Sequence, residues 1–176
     1  MDEVGSLINQ FREEGTQALA NPDSSVKDKI IRRLESSDDP RVLPFMLEAL
    51  SDACEYDLAR IEILKVLELR RRGDSSEDEL IGQSIRRILA DDPDDDVRTY
   101  AAMAASNYMD VEGVLDEVER TLFNEGEETN IRWNAFTAVK EMGPNSRSIE
   151  IMSKAAQVDE FKNSALRILK EWKASV

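Results

Sequence analysis

Five stretches of this chain carry one pattern, and their spacing limits the available folds more than any other feature. "SSVKDKIIRRL", "DLARIEILKVL", "DDVRTYAAMAA", "TNIRWNAFTAV" and "DEFKNSALRIL" each open on a residue able to cap a helix: Ser24, Asp57, Asp95, Thr129 and Asp159. Two residues on stands an apolar or small position (Val26, Ala59, Val97, Ile131, Phe161), at separations of 33, 38, 34 and 30 residues. A base follows at once: Lys27, Arg60, Arg98, Arg132 and Lys162. Four, five and eight residues after the apolar position come Ile30, Ile31 and Leu34; Ile63, Leu64 and Leu67; Ala101, Ala102 and Ala105; Ala135, Phe136 and Val139; Ala165, Leu166 and Leu169. Those offsets fall on one side of a helix with about 3.6 residues per turn. An apolar stripe recurring at such a period belongs to units that bury it against their neighbours.

Other helical patterns alternate with these five. "RVLPFMLEALSD", "EDELIGQSIRRILA", "VEGVLDEVERTLF" and "RSIEIMSKAAQ" carry apolar residues at helical spacing, and "DEVGSLINQFREEGTQALA" supplies a less regular fifth. Turn chemistry separates them: "NPDS", "DDP", "RRGDSS", "DDPDDD", "NEGEET" and "GPNS". Alternation with period two is scarce, so strands are not expected. The expectation is ten helices in one domain, paired over approximately 1–37, 38–73, 74–110, 111–143 and 144–176.

Helix pairs every 30 to 40 residues, with an Asp-rich turn leading into "DDVRTYAAMAA" or "TNIRWNAFTAV", resemble HEAT-like repeats. The likeness covers most of the chain, strongest over 77–142 and weakest before residue 24. Pro44, one turn into the first helix of "DPRVLPFMLEAL", also resembles that family. The resemblance implies an all-α fold: a right-handed α-solenoid of about five antiparallel helix pairs whose second helices line the concave wall. It specifies architecture and no ligand.

The cluster "DDPDDD" at 91–96 admits a metal-site reading and a helix-boundary reading. An EF-hand loop needs a central glycine and a distal glutamate, and this segment has neither. Asp95 as cap, Asp96 in the first turn and Pro93 limiting the preceding helix account for it without a metal.

Composition narrows the function. There is no histidine, which removes imidazole acid/base catalysis, His-containing triads and imidazole metal ligands. The single cysteine, Cys54, permits no internal disulfide, and its acidic neighbours Glu55 and Asp57 disfavour a thiolate. No catalytic residue, metal site or cofactor is therefore expected. The net charge of −14 repels phosphate backbones and anionic lipid, so nucleic acid and membranes are not expected partners and a basic protein is. The opening "MDEVGSLINQ" has no signal-peptide character, and the expected compartment is the cytoplasm.

Projecting the second helices places their free, concave side two, three, six and ten residues after the apolar position. That gives Ile61, Glu62, Lys65 and Leu69; Thr99, Tyr100, Met103 and Asn107; Trp133, Asn134, Thr137 and Glu141; with Asp28, Lys29 and Arg32 before them and Asn163, Ser164 and Arg167 after. Aromatic and Met side chains among Asn and Thr have the composition of a protein-contact centre. Trp133 and Tyr100 suit either contact or packing between repeats, whereas Ile61 and Leu69 suit packing. Acids crowd the turns and first helices, with Asp91, Asp92, Asp94, Glu127 and Glu128 the candidates for steering a basic partner. They equally suit a solvated surface. Arg70 to Arg72, at a helix end, are expected to offset exposed carbonyls.

Two function classes follow for a HEAT-like chain of this charge. The leading one is an acidic immunity or inhibitor protein that occupies a basic toxin or nuclease. The alternative is a HEAT-like adaptor, assembly factor or chromophore-lyase subunit with another protein partner. A HEAT-like DNA glycosylase would need a basic groove, which the net charge opposes.

Overall fold

The computed structural model describes residues 2–14 and 26–173. Among the described residues every regular element is helical, and ten α-helices follow one another: α1 (Glu3–Glu13), α2 (Val26–Glu35), α3 (Val42–Ser51), α4 (Asp57–Leu69), α5 (Ser75–Asp91), α6 (Asp95–Ala105), α7 (Val114–Phe123), α8 (Thr129–Glu141), α9 (Ser146–Ala155) and α10 (Lys162–Glu171). A 3-10 turn over Ser106–Tyr108 follows α6.

The boundaries shift slightly from those read in the sequence, for reasons of capping. Asp94, not Asp95, caps α6: its carboxylate accepts from the Val97 amide at 2.8 Å. Asp57 and Thr129 are the first helical residues, behind Tyr56 and Glu128, which make no side-chain capping bond. Asp159 lies in a turn, with Phe161 at the N-cap of α10. Ser24 lies outside the described residues. Asp74 and Asn145 cap α5 and α9 through their side chains, Asn145 in a reciprocal box with Ser148.

The apolar stripe packs as the spacing predicts. Ile31, Leu34, Ile63, Leu64, Ala101, Ala102, Ala135 and Val139 are at most 0% exposed, and Ile30, Leu67, Ala105, Phe136, Ala165 and Leu169 are buried with them. Leu166 departs from this, at 39% exposed. Each helix packs on its partner in sequence, α1 on α2 through α9 on α10. The second helices α2, α4, α6 and α8 also pack on one another in a row, as do the first helices α3, α5 and α7. In α6 the inward positions are Ala101, Ala102, Ala104 and Ala105, small enough for α4 and α8 to press close on either side. Gly82 does the same for α5, since a Cβ there would lie 2.7 Å from Val111. Pro44, the third residue of α3, has no amide to satisfy in the helix's unpaired first turn.

The recurring base has a structural role in four of the five segments that its position alone did not reveal. Lys27 donates to Glu55 at 2.6 Å, Arg60 forms a two-pronged pair with Asp92, Arg98 donates to Glu127 at 2.9 Å and Arg132 to Glu160 at 2.6 Å. Each acid lies 28 to 32 residues beyond its base, in the turn that precedes the next second helix. Arg60 and Arg132 also donate from Nε to the Leu50 and Leu122 carbonyls. The Arg60 and Asp92 side chains are 1% and 5% exposed, so this rung lies in the interior between successive pairs, whereas Glu160 at the last rung is 28% exposed.

Candidate functional site

The free face of the second helices is where the sequence places its candidate contact residues, and the structure sorts them by exposure. Ile61 is buried (5%), as packing requires. Glu62 is also buried, accepting from Arg32 on α2 at 2.7 Å and standing 3.5 Å from Lys65. Its negative charge is thus spent inside the protein. Leu69 is the reverse of the packing expectation: as the last residue of α4 it projects past the row and is 78% exposed. Tyr100, Met103 and Trp133 are half-buried on α6 and α8.

Packing between helices accounts for part of each aromatic side chain. Trp133 meets Phe161 at 4.8 Å and Phe136 at 5.4 Å, edge to face, while Phe136 and Phe161 stack. The indole therefore welds α8 to the start of α10 while staying only half-buried. Tyr100 lies under the Lys65 ammonium at 5.1 Å, which ties α6 to α4 through its ring.

The polar members are less available than their composition implies. Thr99, Asn134 and Thr137 donate to the carbonyls of Asp95, Asn130 and Trp133, one turn back in their own helices. Asn107 donates to the Arg70 carbonyl at 3.0 Å and fastens the end of α6 to the end of α4. Glu141 is exposed at the end of α8. Its charge reaches Glu68 on α4, and burial first, then Glu141, hold the Glu68 carboxyl above the usual glutamate value. The acids at the ends of α4 and α8 thus feel each other's charge.

The acids proposed for steering divide in two. Asp92 and Glu127 belong to the interior ladder, with side chains 5% and 7% exposed, and are withdrawn from solvent. Asp94 is half-buried and occupied as the α6 cap. Asp91 and Glu128 are exposed. Other acids of the outer helices are paired as well: Glu119 with Arg147 and Lys154, Asp116 with Arg147, Glu117 with Arg120. Asp57, near Asp94 and Asp92, is held above the usual aspartate value by burial and then by the charge of Asp94.

Three features escaped the sequence reading. Tyr108 is fully buried and donates to the Leu67 carbonyl at 2.8 Å, closing an open helix end, and burial pushes its hydroxyl up to about 12. The Arg70 and Arg72 side chains meet carboxylates: Arg70 pairs with Glu77, and Arg72 with Asp78 and Asp110. The ladder acids were legible in principle, because Glu55, Asp92 and Glu127 precede the next apolar position by four or five residues. A cleft of about 240 Å³ lies between the 37–40 turn, α3 and the end of α4. Among the described residues no group of three or more Cys, Asp or Glu is placed to hold a metal ion, and no helix is long and apolar enough to cross a membrane. No family model, curated protein or solved structure matches this chain.

Proposed function

We propose that this chain is a non-enzymatic protein-binding module: a right-handed α-solenoid of HEAT-like helix pairs whose second helices grip a basic protein with their concave side. The row packing of α2, α4, α6 and α8 supports the architecture. The observation that carries the function is the run of Tyr100, Met103 and Trp133, half-open on adjacent helices where a solvated face would carry Lys and Glu. Leu69, exposed at the end of α4, adds a further apolar side chain on the second helices, and Glu68 and Glu141 add negative charge at the ends of α4 and α8. A partner with an apolar anchor ringed by Lys or Arg fits that combination.

Among basic proteins we favour a toxin or nuclease, neutralised by occlusion in the manner of an immunity or inhibitor protein. The steering charge comes from the exposed acids, Asp91 and Glu128 among them, within a net charge of −14. The test is an affinity measurement against candidate basic effectors at low and high salt, with an activity assay of the effector alongside. The proposal expects binding that weakens as salt rises, that Met103→Glu abolishes, and that silences the effector. Binding without silencing would favour an adaptor or assembly factor. Binding indifferent to both salt and Met103→Glu would remove the concave face as the contact.

A further inference from the structure

Eleven residues after the apolar position, where each second helix ends, stand Ser37, Arg70, Tyr108, Met142 and Trp172. From the second repeat on, this residue follows the end of an earlier second helix, and in three of those four places it is large and packs on the core. Tyr108 is fully buried, and Met142 and Trp172 are partly buried against the core. Tyr108 shows what the position does. Its ring lies 5.5 Å from the Arg72 guanidinium, and its hydroxyl donates at 2.8 Å to the carbonyl of Leu67, near the end of the preceding second helix. Arg70 breaks the series, because it turns aside to pair with Glu77 and stays only half-buried.

The cleft of about 240 Å³ lies at this same junction, with Arg70 in its lining. Leu43 and Met46 of α3 and Val66 and Leu67 of α4 give it apolar walls. A cavity thus stands beside the one residue whose counterparts are core side chains. The rest of its lining is acidic. Glu35 and Asp38 are exposed and join no salt bridge among the described residues, whereas Asp39 is matched by Arg41 and Glu77 by Arg70. The counterpart of the Leu67 carbonyl is that of Leu34. Each accepts the amide three residues on, from Arg70 at 3.4 Å and from Ser37 at 2.9 Å, and Leu67 also takes the Tyr108 hydroxyl on its second lone pair.

We infer that this cleft receives a tyrosine side chain carried on a basic segment of another protein. The ring takes the space that Tyr108 fills one repeat later, and the flanking Lys or Arg meets Glu35 and Asp38. A ring with a polar tip suits apolar walls under a polar rim, and the opposite charges orient its approach. The ring is not this chain's own. Its three Tyr, five Phe and two Trp all lie among the described residues, each buried or half-buried, so neither the chain nor a second copy presents an exposed aromatic. None of Tyr100, Met103 and Trp133 lines the cleft, so it is a contact separate from the concave face and either can fail without the other.

The test titrates the full, isotope-labelled chain with the acetylated and amidated peptide Lys-Tyr-Lys and follows the backbone amide resonances. Saturable shifts are expected at 35–39, 43–46 and 66–70. They should need about tenfold more peptide in the variant Glu35→Lys with Asp38→Lys, both exposed positions, and be unchanged in Met103→Glu. The peptides Lys-Ala-Lys and Glu-Tyr-Glu should leave these resonances in place. Arg70→Tyr supplies the ring from within. It should unfold at a higher temperature than Arg70→Ala, which loses the same pair with Glu77, and should abolish the peptide shifts that Arg70→Ala retains. Equal shifts from Lys-Ala-Lys would reduce the site to charge attraction and overturn it, as would equal shifts from Glu-Tyr-Glu. Absence of shifts at the cleft with about 10 mM Lys-Tyr-Lys, or an Arg70→Tyr midpoint no higher than that of Arg70→Ala, would overturn it equally.

Discussion

Replacing Arg60 by methionine tests the ladder where it is most enclosed. The guanidinium bonds Asp92 with both terminal nitrogens and the Leu50 carbonyl with Nε at 3.1 Å, in a site where its side chain is 1% exposed and that of Asp92 is 5% exposed. Methionine keeps much of the apolar stem and removes the charge, so the principal loss is an uncompensated carboxylate and an orphaned carbonyl in the interior. Removing one partner of a buried pair costs about 3–5 kcal/mol. For a chain of this size each kcal/mol moves the melting temperature by about 2–4 °C, so a fall of roughly 6–20 °C is expected. The matched control is Arg12→Met, which breaks the Arg12–Glu48 pair, 54% and 68% exposed, and should cost about 1 kcal/mol or less. Urea unfolding of both variants, followed by circular dichroism, supplies the comparison. The double variant Arg60→Met with Asp92→Asn should recover part of the loss, because it removes the stranded charge. If Arg60→Met cost no more than Arg12→Met, or the double variant were the sum of its parts, the ladder would not be what holds successive pairs in register.

Three further substitutions probe the packing around the candidate face. Gly82→Ala would gain about 1 kcal/mol in an open helix, but here its Cβ meets Val111 at 2.7 Å, so a net loss of about 1–2 kcal/mol is expected in urea unfolding. Phe161→Ala removes the ring shared by Trp133 and Phe136 and should cost about 3–5 kcal/mol, with the Trp133 emission shifting to the red. Glu68→Gln concerns pH. The folded carboxyl sits above its ordinary 4.5, so the folded state holds this proton more tightly than the unfolded chain, and stability falls as pH rises through that range. The glutamine variant should therefore unfold at a higher midpoint than the natural chain near neutral pH, with the difference vanishing below 4.5.

Much of the fold is readable in the sequence because a repeat states its own rule five times. Ile63, Leu64 and Leu67, or Ala101, Ala102 and Ala105, are inside because helical spacing leaves them no other side once the neighbouring helix arrives. The helix starts are less legible. Adjacent aspartates compete for one amide, and Asp94 rather than Asp95 reaches Val97. The candidate face was legible as a set of positions but not as a set of free groups. Glu62, Asp92 and Glu127 look in sequence like surface acids, and only the partner 29 to 32 residues away turns them into interior ones. Leu69 shows the opposite error, since an apolar residue in register is exposed when the helix ends beneath it.

The claim at the centre is that a basic protein docks on the free side of the second helices. Amide hydrogen exchange of the chain, alone and saturated with a basic effector identified by affinity, addresses it directly. Added protection is expected over 99–107 and 133–141 and at the end of α4, with α3, α5 and α7 unchanged. Protection confined to the first helices, or none on α6 and α8, would contradict it.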